Sequence, residues 1–436
     1  MRKNFKMQLA LPLVILLSLA ACKKNNVTED TSTSTTPTTT ITNPTTNPVS
    51  TAPSYDVGTG SGYLTIDGNS LDLTSIKLIK IKAGSYKGIY IKNISGTAAN
   101  PIYIKNSGQV IITEGMETTN VNYLNFLGDN ESTITYGFSF ENIAFRALKF
   151  RGKMSNVTIK NVSFKNVTDY VMAGEADNGL VAYDGTSSTR IENFKILNCL
   201  FDNTGSISFG GNLNKETGED TGLYKDIEIA YNIFQNSPNV GTVCSFTNVQ
   251  DYNIHHNVVN DINQSTNNHN GVFFMQGNGK FHDNKLTNYQ GNSIRVWGYS
   301  RGSTPAMVEI YNNICYNTRK YGAFEIQEFA RNIVPGKSTF INAKVYNNTV
   351  GKMNTSKDWE GQILDLYNFG GTLEFNNNLG FDLNRVGKET TDMINYNGNS
   401  TSTTITNNKY YATQALAVLN ITTFVSLISG IGAPAQ

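Results

Sequence analysis

Short runs in which apolar and polar residues alternate return along the chain from Ile76 to Tyr411, each closed by a turn of Asn, Gly or Ser. The first are Ile76-Lys77-Leu78-Ile79-Lys80-Ile81, Gly88-Ile89-Tyr90-Ile91, Pro101-Ile102-Tyr103-Ile104 and Val110-Ile111-Ile112. From Phe138 onward the run meets an asparagine at a repeated offset: Asn142, Asn161, Asn198, Asn232, Asn257, Asn284, Asn313, Asn348, Asn378 and Asn408. Period-two alternation predicts strands with one buried face. Repetition every 19 to 37 residues predicts an all-β solenoid of about ten or more coils, each packing only on its neighbours. Asparagine suits the bend because it tolerates left-handed backbone and its amide can bond the amide of the next coil. No amphipathic helix is evident before Thr413–Ile428, an apolar stretch that could be helical and cap the open end of the stack.

The strand after each Asn turn aligns coil against coil. With Ile207, Cys244, Phe273, Ile294, Phe324 and Leu364 facing inward, alternation turns Ser208, Ser245, Phe274, Arg295, Glu325 and Asp365 outward as one column. Gly210, Thr247, Gln276, Trp297, Gln327 and Tyr367 form the next. Stacked strands lie about 4.8 Å apart, so Arg295, Glu325 and Asp365 are expected as direct neighbours, flanked by Trp297, Gln327, Tyr367, Gln276 and Tyr299. Aromatic faces suit the apolar faces of sugar rings, and arginine grips a carboxylate with two bonds. Paired carboxylates divide acid and base roles at glycosidic bonds, and two so close push one pKa upward. Arg295, Glu325 and Asp365 are thus the catalytic candidates, and the other five the substrate-binding candidates. The same residues also fit an exposed, purely structural sheet face with a surface ion pair.

Loops longer than turns require, Asn212–Tyr224, Gly298–Ala306, Glu328–Thr339 and Asn354–Gly361, bring Arg301, Glu328, Arg331, Lys357, Asp358, Trp359 and Glu360 toward this region. His255 and His282 share an outward column with Tyr311 and Tyr346 on another face, and this pattern reads as an exposed ladder. His256 falls at a turn, and His269 lies beside the candidate groove as a possible base. No metal site is assigned, because the imidazoles lack an aligned acidic ligand.

The N-terminus has its own pattern. Arg2, Lys3 and Lys6 precede an apolar run from Leu9 to Leu19, followed by Ala20-Ala21-Cys22. This is a secretory signal too short for a confident membrane span. Residues 22–54 are dominated by Thr, Ser, Pro and Asn, as in a disordered tether, leaving 55–436 for the solenoid. The chain carries 35 Lys and Arg against 34 Asp and Glu; without Arg2, Lys3 and Lys6, 32 remain against 34. That balance gives no bias toward nucleic acid or anionic lipid. Cys199, Cys244 and Cys315 are scattered on separate coils and are read as small core residues rather than a disulfide framework.

Three resemblances add to this. Leu19-Ala20-Ala21-Cys22 resembles a bacterial lipobox, which implies cleavage after residue 21, a lipid on Cys22, and an envelope location at the outer membrane or cell surface. The repeats resemble the right-handed parallel β-helix proteins of the pectate lyase-like class. Ala83-Gly84-Ser85-Tyr86 with Ile94-Ser95-Gly96-Thr97 and Pro101-Ile102-Tyr103-Ile104, and the passage Asn284–Gly298, are similar to polysaccharide lyase family 6. That likeness implies an acidic polysaccharide as substrate, Arg295 as neutraliser of its carboxylate, and bound Ca²⁺. The chain departs from the family pattern at Trp297-Gly298, where His would follow the Arg, and at Met275-Gln276-Gly277, where a catalytic Lys would stand. No acidic pair for Ca²⁺ is found there, so no cofactor is assigned. Taken together, the sequence predicts a monomeric exported lipoprotein that binds polysaccharide and leaves open whether it also degrades it by lyase or hydrolase chemistry. The alternative is a non-catalytic glycan-binding, adhesive or structural β-helix.

Overall fold

The computed structural model describes residues 54–175, 181–214, 219–328, 336, 338–398 and 402–436. The signal, Cys22, all of the linker but Ser54, and Arg331 lie outside the described residues. The chain divides into two units, Met1–Thr46 and Asn47–Gln436, and all that follows concerns the second.

Strands stack coil on coil in parallel. In one coil Met307–Tyr311, Ile314–Thr318 and Phe324–Glu328 follow one another. Each pairs in parallel with its counterpart in the next coil, Asn342–Tyr346, Thr349–Met353 and Leu364–Tyr367. A coil therefore has three strands and three faces, where alternation alone suggests two. The second strand, such as Val258–Ile262, is short and ends in a turn that the sequence does not separate from the loop after it. The result is an all-β, β-helix-like solenoid, with no α-helix among the described residues.

Its core is a column of apolar side chains enclosed by the three sheets. Ile207, Cys244, Phe273, Ile294, Phe324 and Leu364 all face inward and are fully buried. Phe140, Phe164, Phe201 and Phe234 stack on successive coils at 4.8, 5.1 and 4.6 Å. Each such side chain contributes roughly 1.5–3 kcal/mol by leaving water. Cys199, Cys244 and Cys315 are buried free thiols; burial pushes the Cys199 thiol up to about 12.

The asparagine ladder is real, with a corrected register. From Asn232 to Asn408, each side-chain amide donates to Oδ1 of the next: 3.0 Å for Asn232 to Asn257, 3.0 Å for Asn257 to Asn284, and 3.1 Å for Asn284 to Asn313. Asn313, Asn348 and Asn378 continue it at 3.0 Å each. The same Oδ1 also accepts the preceding ladder residue's backbone N–H, as from Asn284 to Asn313 at 3.1 Å. A second amide proton bonds a strand carbonyl, for example that of Phe281 from Asn313 at 2.9 Å. The left-handed residue is not the ladder Asn but the one before it: Tyr231, His256, Asp283, Asn312, Asn347, Asn377 and Asn407. Asn161 and Asn198 are themselves left-handed and occupy that preceding position. The ladder place after Asn198 falls to Cys199, whose N–H bonds Asn232 Oδ1. Asn142 belongs to another turn, accepting from Asn166, which accepts in turn from Asn203.

The C-terminal stretch is neither helical nor an end cap. It folds in turns around a Leu419–Ser426 bridge and seats Leu419 and Ile431 against Leu379 and Phe381. Ala433 N–H then bonds Thr349 Oγ1 at 2.8 Å, and Gln436 Nε2 reaches the carbonyl of Asn312 at 2.6 Å. The tail thus runs back along the side of the stack, because the apolar surface it covers is there. The last coil keeps Tyr396 and Ile405 about half exposed.

Asn313→Ala would leave the N–H and amide of Asn284 and the carbonyl of Phe281 without their partner. It should lower the unfolding free energy by at least about 3 kcal/mol, since each buried polar group left unpaired costs about 1–3 kcal/mol. Asn317→Gly, which keeps a left-handed turn and loses an exposed amide bond to Asn288, should cost no more than about 1 kcal/mol. Urea denaturation of both variants measures the difference.

Candidate functional site

The third strands carry the first outward column in the expected register and the second from Gln276 onward, Thr247 falling in a register break between Phe246 and Val249. Ser208, Ser245, Phe274, Arg295, Glu325 and Asp365 pair in succession, as do Gln276, Trp297, Gln327 and Tyr367. Pairing thereby brings Arg295, Glu325 and Asp365 onto adjacent strands across seventy residues.

Their exposure differs from the expected open groove. Phe274, Arg295, Trp297, Gln327 and Tyr367 are half-buried, whereas Gln276 is buried, Glu325 is 0% exposed and Asp365 is 2% exposed. An outward column fixes only the direction away from the core. Segments leading into the strands fold back over it: His269 stacks on Tyr321 at 4.0 Å, with Trp359 edge-on to Tyr321 at 5.6 Å. Trp359 remains 44% exposed and forms the outer surface of this cover. Gly322 leaves room beneath, since a Cβ there would lie 3.1 Å from Asp365 Oδ2.

Beneath the cover the charges are tightly disposed. Arg295 Nε donates to Glu325 Oε1 at 2.6 Å and Nη1 to the carbonyl of His269 at 3.2 Å. Its guanidinium lies 5.6 Å from the Trp297 ring. With Glu325 fully buried, this is no surface ion pair: removing one partner would strand a charge in a dry site. Glu325 Oε2 lies 3.0 Å from His269 Nε2 but has no hydrogen bond; the ring nitrogen bonds Asn292 Oδ1 at 3.2 Å. Asp365 Oδ1 accepts from Asn395 Nδ2 at 3.1 Å, and Oδ2 from Asn292 Nδ2 at 3.5 Å. Burial, then the Glu325 charge beside it, pushes the Asp365 carboxyl up to about 8. Burial, then the Asp365 charge, raises the Tyr367 hydroxyl. Glu328, which sequence reasoning placed only in a loop, is fully buried, accepts the Ile341 N–H at 3.0 Å, and is raised by burial to about 8. A carboxyl holding its proton beside an Arg-paired carboxylate is an acid–base pair by composition.

Tyr299 lies off this face. It is 5% exposed and packs on Leu213, inside a clasp between two loops. Arg301 grips Asp220 through Nε at 2.7 Å and Nη2 at 3.1 Å, and Asn248 Nδ2 holds the same carboxylate at 2.7 Å. The clasp ties the hairpin Asn212–Asn214 and Glu219–Thr221 to Ser300–Arg301. Asp220 gave no sequence signal, because its partner lies eighty-one residues away in a loop without period. Asp358 and Lys357 pair outside the cluster, with Lys320 at 2.6 Å and Glu389 at 3.3 Å.

The histidine column stands on the first face in the expected register but is not an exposed ladder: His255 is buried and His282, Tyr311 and Tyr346 are half-buried. His255, His282, Tyr311 and Tyr346 stack at 4.9, 4.5 and 4.9 Å. His256, at its left-handed turn, adds Nδ1 at 2.9 Å from that of His255. Among the described residues, no group of three or more His, Cys, Asp or Glu is placed to hold a metal ion.

No family model matches the chain, and no curated protein matches it in sequence. Several solved structures are similar in part, and the likeness of the following three is one of fold alone. A GH136 lacto-N-biosidase from Eubacterium ramulus is 9% identical, with 80% of this chain and 67% of that one covered at a TM-score of 0.33. The Streptococcus pneumoniae surface protein and adhesin PfbA is 11% identical, with 78% and 90% covered and a TM-score of 0.35. The A-module of the Azotobacter vinelandii mannuronan C-5 epimerase AlgE6 is 11% identical, with 77% and 91% covered and a TM-score of 0.21. Likenesses at this level leave the reading of the site to its own geometry.

The raised Asp365 carboxyl gives a pH test. Its folded value lies above the unfolded 3.8, so the folded state holds the extra proton. That contribution is fully present below about pH 4 and is lost as pH rises toward about 8, at a limit of about 1.4 kcal/mol per pH unit. Asp365→Asn should flatten this decline and melt no lower than the parent at about pH 8. Thermal melts from about pH 5 to about pH 8 read both effects; an unchanged slope would mean that Asp365 is ionised in the fold.

Proposed function

We propose that the protein is an exported bacterial envelope lipoprotein, anchored through a lipid on Cys22, that acts as a monomer and binds polysaccharide on the face carrying Arg295, Trp297, Gln327 and Tyr367. The observation that carries this reading is the half-buried platform of Phe274, Trp297 and Tyr367 around the Arg295–Glu325 pair. Phe274 and Trp297 meet edge to face at 5.2 Å, which fixes the indole as a flat surface for a sugar ring. Such rings bury large area at little conformational cost. Neither nucleic acid nor a cofactor enters this reading.

Binding without turnover is the form that burial favours. Glu325 and Asp365 lie under His269, Tyr321 and Trp359, so a glycosidic oxygen reaches them only if that cover moves. A hydrolytic reading is kept by one observation, the proton held on Asp365 up to about 8 beside the Arg-paired Glu325, as an acid catalyst needs. The lyase form is weaker: Arg295, its carboxylate neutraliser, is already engaged by Glu325 and the His269 carbonyl.

Electrophoresis through native gels containing alginate, pectin, chondroitin sulfate or xylan, with assay of released products, separates these outcomes. Retardation without products supports binding; new reducing ends support a hydrolase, abolished by Asp365→Asn; unsaturated ends support a lyase. Trp297→Ala should weaken retardation at least about tenfold. No retardation in any gel would remove the glycan reading. Radiolabelled palmitate incorporated by the parent and lost in Cys22→Ser tests the anchor.

A further inference from the structure

The outward column that carries Arg295, Glu325 and Asp365 does not begin at Ser208. It continues without a break to the first coils, through Ala173, Lys149, Glu117 and Tyr90 to Thr65. Six strand spacings separate Tyr90 from Phe274, about 29 Å. At the N-terminal end stands a second aromatic pair. Tyr63 is 58% exposed and Tyr90 40% exposed, with ring centroids 6.3 Å apart.

Tyr63 is built as a platform rather than left as a loose side chain. Its ring lies on the neighbouring strand at Gly88, where a Cβ would meet Cδ1 at 3.2 Å and Cε1 at 3.3 Å. The next residue in that register is again glycine, Gly115. One face of the ring therefore rests on backbone, Lys87 Nζ lies over the ring at 6.0 Å from its centroid, and the hydroxyl is tied to Glu114 Oε2 at 2.5 Å. Between the two aromatic ends the column changes character. Glu117 is held by Lys149 at 2.7 Å and Arg151 at 3.2 Å, so its charge is compensated. Ser208 and Ser245 then leave a low, half-buried floor, their hydroxyls 3.5 Å apart and able to bond sugar hydroxyls, while Ala173 beside them is 5% exposed. A rigid track with stacking platforms at both ends fits an extended polymer better than a chain end.

We propose that the ligand is an internal stretch of a long polysaccharide, laid along this column and held at two stations, Tyr63–Tyr90 and Phe274–Trp297. The proposal rests on the reading of the Trp297 face as a glycan-binding surface. Occupying both stations with one chain makes the second contact intramolecular, so affinity rises once the chain spans the interval.

The test compares the parent, Trp297→Ala and the double variant Tyr63→Ala/Tyr90→Ala in the same alginate, pectin, chondroitin sulfate and xylan gels. Size-graded fragments of the retarding polymer are then used as competitors. The double variant should bind the polymer at least about tenfold more weakly and bind fragments shorter than the interval as the parent does. Trp297→Ala should weaken both. If the double variant equals the parent on polymer while Trp297→Ala is weakened, the two-station inference falls and the Trp297 face stands. If no variant differs, or the parent is not retarded, the underlying reading falls with it.

Discussion

Everything in this protein depends on strands held in register, one coil directly above the next. Backbone pairing supplies the spacing, and the amide ladder from Asn232 to Asn408 supplies the phase. Each ladder amide answers an N–H above and a carbonyl below, groups that would otherwise be orphaned at a buried bend. A slip of one residue would turn every inward side chain outward and leave the amides opposite apolar residues. The ladder is therefore a register device as much as a source of stability.

Register is also what turns distance along the chain into neighbourhood. Arg295, Glu325 and Asp365 have no local relation, yet pairing makes them one cluster. Segments between coils then determine what the cluster meets. His269, Tyr321 and Trp359 arrive from the N-terminal margins of the strands and keep water from the carboxylates. Arg301 and Asp220 clasp the loops at the opposite margin. The solenoid provides a flat, repetitive sheet, and its irregular connections give one part of it a dry interior beneath an aromatic surface.

How far this was legible in the sequence follows from the same division. Alternation reports which way a side chain leaves a strand, so the inward residues and both outward columns were readable, and the histidine–tyrosine stack with them. Alternation is silent on what folds over a strand. Hence Glu325 and Asp365 were placed correctly in line but wrongly in solvent, and Tyr299 was assigned to a face from which its clasp removes it. The ladder's offset failed for a related reason: Asn161 and Asn198 occupy the left-handed place, and the residues that follow them, Val162 and Cys199, stand where later coils carry the ladder amide. Two asparagine-rich positions adjacent in sequence look alike as composition and differ only in backbone. The Thr413–Ile428 stretch is apolar because it covers Leu379 and Phe381, a partner that no local period reveals.

Two faces of the solenoid carry aligned rings, and only the one bearing Trp297 is proposed to take the ligand. Hydrogen–deuterium exchange with and without the retarding polysaccharide tests that assignment directly. Protection should appear in the strands Gly271–His282 and Asn292–Gly298 and in Leu364–Tyr367. Protection confined to Met307–Tyr311 and Asn342–Tyr346, beneath the His255–Tyr346 stack, would contradict it.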